Sequence, residues 1–254
     1  MTEWRYELVV AADRAELSER AAERFVESAR IAVDDHGFFF VALSGGSTPR
    51  ELHTLLASPA WRERIDWERT QVFWGDERGV PPDDPRSNYR MARETLLEGV
   101  PVPAENVHRP RVEAGDGRAA SDYAAEIGRI VGPGPAGVPR FDLILLGLGD
   151  DGHTASLLPG DPLVHERERL VAWTTREREG TLRVTFTPPL LLAARELLFL
   201  VSGADKAAAL REVLYGEAQI ERYPAQVVRA SKNEVVFLVD RAAAAELPSH
   251  ERGR

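Results

Sequence analysis

The chain has 254 residues, 43% of them hydrophobic, which is enough for a sizeable core, and one α/β domain spanning 1–254 is expected. With 41 acidic against 32 basic residues the formal charge is −9, which argues against nucleic-acid binding but not against an anionic small molecule held in a local basic pocket. The absence of cysteine excludes disulfides, thiolate nucleophiles and cysteine-held metals; no secretory segment opens the chain, no apolar run reaches the roughly 18 residues of a membrane span, and a cytoplasmic protein without membrane contact is expected.

Residues 4–10 alternate and then turn apolar, as an edge strand does. Leu17, Ala21, Phe25, Ala29 and Ala32 recur at helical spacing and predict a helix over 15–33. A short buried strand is expected over 38–43, ending at Ser44-Gly45-Gly46-Ser47-Thr48-Pro49, with a helix from about Thr48 to Leu56. A strand over 71–74 runs into Gly75-Asp76-Glu77-Arg78, and a helix follows over 88–97 with Ser87 or Asn88 as its cap. The Gly/Pro-rich stretch 132–139 reads as a loop, and the strand 141–146 ends at Gly147-Leu148-Gly149-Asp150-Asp151-Gly152-His153. Further strands are expected over 181–186, 196–201 and 234–239, a helix over 204–214, and a short helix in the tail. Strands alternating with helices imply an α/β fold: an open, mainly parallel sheet with helices on both faces. Ligands bind such sheets beyond the carboxyl ends of the strands, so the loops after 43, 74 and 146 are expected to meet in one crevice.

The loop 44–48 suits an anion. Its glycines bring backbone N–H groups close to a ligand, the hydroxyls of Ser44, Ser47 and Thr48 add donors, and Ser47 or Thr48 can cap the helix that follows. An ordinary strand–turn–helix junction reads the same way, and without a Gly-Lys-Ser/Thr ending the loop is not a nucleotide P-loop. Asp76, Glu77 and Arg78 fit either a structural ion-pair network or the grip on a polar substrate. Gly147 to Gly152 matches G-x-G-x-x-G, yet Asp150 and Asp151 would repel a pyrophosphate, and the strand lies mid-chain with no clear ribose-binding strand following. A dinucleotide is therefore not expected. Asp151 two residues before His153 instead suits an oriented general base, with the glycines, Gly149 among them, leaving room for substrate and N–H groups for an oxyanion. One histidine and two acids make a poor metal set, so no metal is expected. The other five histidines, His36, His53, His108, His165 and His250, sit in no comparable cluster. Arg183 on a strand, and Lys206 near a helix N-terminus where its charge opposes the dipole, are candidate anion contacts, although Lys206 also reads as a solvated surface lysine.

Taken together, LSGGSTPRELH at 43–53, FWGDERGVPPDDPRSNYRMARETLL at 73–97, FDLILLGLGDDGHTASLLPG at 141–160, RVTFTPPLL at 183–191 and VSGADKAAAL at 201–210 resemble the 6-phosphogluconolactonase family, part of a Rossmann-like superfamily with glucosamine-6-phosphate deaminases and sugar-phosphate isomerases. The resemblance implies hydrolysis of 6-phospho-D-glucono-1,5-lactone to 6-phospho-D-gluconate in the pentose phosphate pathway, without a cofactor, by a monomer or weakly associating homo-oligomer. It implies that loop 44–48 and Lys206 contact the substrate phosphate, that His153 moves the proton with Asp151 beside it, and that Arg78 and Arg183 approach the substrate. In the deaminases a catalytic glutamate stands five residues past the histidine, before Pro-Gly; here that position is Leu158, which cannot move a proton. Deaminase or isomerase chemistry, and a non-catalytic sugar-phosphate-binding module, remain as alternatives.

Overall fold

The computed structural model describes residues 4–113, 118–176 and 181–249. Six parallel strands form the central sheet: β1 (Glu7–Ala11), β2 (Phe39–Leu43), β3 (Thr70–Trp74), β5 (Leu143–Gly147), β8 (Glu196–Val201) and β9 (Glu234–Asp240), in the order β1-β9-β8-β5-β2-β3. A second sheet of three short antiparallel strands is ordered β4-β7-β6: β4 (Asp76–Arg78), β6 (Val171–Arg176) and β7 (Thr181–Phe186). The expected strand 181–186 thus belongs outside the parallel sheet, and the Asp-Glu-Arg run is itself a strand. β1 is an edge strand, as its alternation suggested.

The central strands are near-continuous apolar runs because both faces are covered. Alternation divides their side chains between two cores: Val235, Phe237 and Val239 of β9 face one side, Val236 and Leu238 the other. Helices α1 (Arg14–His36), α2 (Ser47–Leu56) and α4 (Asn88–Thr95) cover the second side; α5 (Ala119–Val131), α6 (Pro188–Ala193) and α7 (Ala207–Tyr215) cover the first, and a four-residue α3 (Pro59–Arg62) follows α2. Helix α1 buries the stripe of Leu17, Ala21, Phe25, Ala29 and Ala32. It starts at the N-cap Asp13, which accepts from the Glu16 N–H at 3.0 Å, while Glu16 reaches back to accept from the Ala12 N–H at 2.6 Å, and it ends at Gly37 with φ 89°.

Three details differ from the expectations. Helix α2 begins one residue early: Gly46, φ 112°, is its N-cap, and neither Ser47 nor Thr48 closes the end with a side chain. The expected helix 204–214 is a 3₁₀ turn, Ala204–Lys206, leading into α7, and the described part of the tail holds a 3₁₀ turn, Ala243–Glu246, in place of the expected short helix. Residues 250–254, with His250, lie outside the described residues. No described helix is long and apolar enough to cross a membrane.

Candidate active site

The chain steps from β2 outward to β3, then from β5 outward to β8 and β9 in the opposite direction. The sheet's switch point therefore lies between β2 and β5, where a crevice opens beyond the strand ends. A cleft of about 640 Å³ occupies it. Because β8, β5 and β2 are neighbours, the loops that follow them meet there, and the small antiparallel sheet contributes a further wall from β4 and β7.

The loop 44–48 lines one end of the cleft. Gly45 is needed because a Cβ there would overlap the Asn88 side-chain amide, and Gly46 takes the positive φ that turns the chain into α2. With no side-chain cap, the first N–H groups of α2 stay available to an anion. Lys206 lines the same cleft from the turn before α7, its Nζ 3.0 Å from Asp205, whose carboxyl is held below its usual range by that bond. The half-buried ammonium and the uncapped helix end line the same cleft.

His153 and Gly149 lie on the loop after β5. Asp151 Oδ1 sits 2.5 Å from His153 Nδ1 and accepts the His153 N–H at 3.1 Å, so the carboxylate holds both ring and backbone. That bond assigns the proton to Nδ1 and leaves the lone pair on Nε2, which no described residue hydrogen-bonds. Asp151 stands behind the imidazole and does not line the cleft itself. The loop is shaped around the pair: a Cβ at Gly149 would overlap His153 Nδ1 and come within 2.5 Å of Asp151 Oδ1, and Gly152, φ 82°, faces Tyr223. The N–H groups of Gly149 and Gly152 bond the carbonyls of His153 and Gly149, at 2.8 and 3.0 Å. These two N–H groups are spent within the loop.

Asp76, Arg78 and Arg183 line the wall between these ends. Asp76 accepts from Ser156 Oγ at 2.6 Å and Asn88 Nδ2 at 3.2 Å, and Arg183 Nη1 lies 3.9 Å from it. Arg78 Nη1 donates to the Arg86 carbonyl. Glu77 does something different. It is 2% exposed and absent from the cleft, and its carboxylate accepts from the backbone N–H groups of Asn88 and Tyr89, both at 2.8 Å, and from Ser87 Oγ at 3.0 Å. Burial pushes its carboxyl up against these bonds, and its work is to anchor the start of α4, where Ser87 is the cap. Among the described residues no three histidine or acidic side chains come together as metal ligands do.

A family model described as glucosamine-6-phosphate isomerases/6-phosphogluconolactonase matches residues 12–237. The chain belongs to this family. A 6-phosphogluconolactonase of a Synechocystis species is 41% identical over 232 residues, 91% of this chain and 94% of its own length. One from a Nostoc species is 38% identical over 94% of this chain and 97% of its own length. The solved 6-phosphogluconolactonase of Trypanosoma brucei superposes with a TM-score of 0.85 at 30% identity, covering 96% of this chain and 100% of that one.

Within this family frame, sequence reasoning missed several cleft residues. Arg14, Asn88, Ser202 and Asp205 all line it. In the sequence Asn88 stands out only as a candidate helix cap, and Ser202 and Asp205 only as part of the stretch 201–210. Leu158, 6% exposed, lies outside the lining, so no carboxylate replaces the deaminase glutamate there.

Proposed function

We propose that the cleft hydrolyses 6-phospho-D-glucono-1,5-lactone to 6-phospho-D-gluconate, and that the residues above divide the work. The observation that carries this reading is the pairing, in one cleft, of an uncapped helix N-terminus beside Lys206 with a histidine whose Nδ1 is tied to Asp151 at 2.5 Å. The first takes a phosphate; the second takes a proton.

The phosphate docks at loop 44–48 and Lys206, so binding energy far from the reacting carbon holds the lactone carbonyl in place. His153 Nε2 accepts a proton from water as the water oxygen bonds to C1. Asp151 steadies the imidazolium that forms. With the Gly149 and Gly152 N–H groups engaged, the guanidinium groups of Arg78 and Arg183 on the cleft wall are the donors assigned to the tetrahedral oxyanion. The C1–ring oxygen bond then breaks, and the ring oxygen takes the proton back from His153, leaving a free hydroxyl and a carboxylic acid that ionises to the carboxylate by releasing its proton to solvent. A lactone is already an activated ester, and the scheme asks for no covalent intermediate. A deaminase would need a second proton-moving group, and Leu158 provides none.

The test is lactone disappearance with freshly made substrate, product being coupled to 6-phosphogluconate dehydrogenase and the spontaneous rate subtracted with a no-enzyme blank. Acceleration over blank is the expected result. No acceleration, with turnover of glucosamine-6-phosphate instead, would overturn the reading.

A further inference from the structure

Arg14 belongs to no motif of the sequence, yet it lines the cleft that holds loop 44–48 and Lys206. It is the first residue of α1, a position where a cation opposes the helix dipole. Lys206 stands in the same unfavourable relation to α7. Two cations at helix N-termini, both facing the uncapped start of α2, are an arrangement that an anion between them would stabilise.

The guanidinium is aimed by a relay from two other strand ends. Asp240, 6% exposed at the end of β9, accepts from Ser202 Oγ at 2.5 Å and from the Gly203 N–H at 3.1 Å. With its proton committed to Asp240, Ser202 Oγ offers a lone pair and accepts from Arg14 Nε at 3.0 Å. Arg14 Nη1 also reaches Glu51 at 3.3 Å. A guanidinium carries five N–H donors. Three of those on Arg14 have no described partner.

We propose that Arg14 is a further ligand of the substrate's phosphate, and that Ser202 and Asp240 position it from the ends of β8 and β9. The inference rests on the lactonase reading for the identity of the substrate, not for the presence of an anion. The competing account is a surface ion pair, Arg14 with Glu51, tying α1 to α2.

The experiment titrates the full-length protein with inorganic phosphate by calorimetry, and measures kcat and KM for the phosphorylated lactone and for unphosphorylated glucono-1,5-lactone. Arg14→Gln is expected to weaken phosphate binding and raise KM about tenfold or more, the value of one charge-assisted contact, with kcat changed less than about threefold. Turnover of the unphosphorylated lactone should not change. Arg14→Lys should recover part of the loss, and Ser202→Ala should show a smaller version of it. Glu51→Gln should leave phosphate affinity equal or tighter. Unchanged phosphate affinity in Arg14→Gln, or an equal loss in Glu51→Gln, would overturn the inference. Wild type that binds phosphate and accelerates no lactone hydrolysis would sink the lactonase reading while the Arg14 comparison stands.

Discussion

Arg78 and Arg183 stand directly opposite one another in the β4–β7 ladder, two like charges on one wall of the cleft. Directly opposed like charges destabilise a sheet. Asp76, 3.9 Å from Arg183, offsets part of this, and a negatively charged substrate or oxyanion would offset the rest. Arg78→Gln should therefore lower kcat/KM about 100-fold, the cost of losing one oxyanion donor, while leaving the melting temperature of the unliganded protein equal or higher. A lower melting temperature with unchanged kinetics would make the pair a structural network.

The His153–Asp151 contact assigns the tautomer, and that assignment is testable apart from the histidine itself. His153→Ala should cost about 10²–10⁴ in kcat. Asp151→Asn keeps the shape of the loop but lets the imidazole present the wrong nitrogen, and should lower kcat within the same range with KM little changed. Near-normal turnover in either variant, measured against the blank, would remove the general-base role.

Gly149 supplies an independent probe of the same geometry. A Cβ there meets both His153 Nδ1 and Asp151 Oδ1, so Gly149→Ala must push the pair apart. The expected outcome is a fall in kcat approaching that of His153→Ala, with phosphate affinity by calorimetry retained. Equal loss of both would mean that the whole loop had collapsed.

These contacts also show where sequence reading succeeds. Loop 44–48 and the stretch 147–153 were legible because each is local: a strand end, glycines and polar groups within a few residues. The buried stripe of α1 was legible from its period. Arg14 and Ser202 were not, because what brings them to the cleft is strand order, with β1 beside β9 and β9 beside β8. β4 was hidden for a related reason. Three charged residues in a row do not read as a strand, and only pairing with β7, far along the chain, makes them one. Helix α5 and strand β6 went unread, though α5 carries buried Ala119, Ala120, Tyr123 and Ile127 at helical spacing. The uncapped start of α2 runs against the expectation that Ser47 or Thr48 closes it, and it leaves open the N–H groups that the proposed phosphate site uses.

The last prediction concerns stability and a residue outside the cleft lining. His53 on α2 is 0% exposed, and neither ring nitrogen has a hydrogen-bond partner among the described residues. Burial drives its pKa down to about 3, with Arg50 adding a smaller push in the same direction, against 6.5 for an ordinary histidine. Between those two values the unfolded chain binds the proton and the folded protein does not. Stability therefore rises with pH through this window, and is lost as pH falls from 6.5 towards 3, at up to about 1.4 kcal/mol per unit. At pH 5 the deficit from this group is on the order of 2 kcal/mol. His53→Leu removes both the titration and the unpaired nitrogens, each a cost in a buried site. Urea unfolding at pH 5 and pH 7.5 should show the variant more stable at both, by about 1–3 kcal/mol at the higher pH and by a wider margin at the lower one. A margin that is the same at both pH values would mean that His53 is protonated in the folded protein or has a partner there.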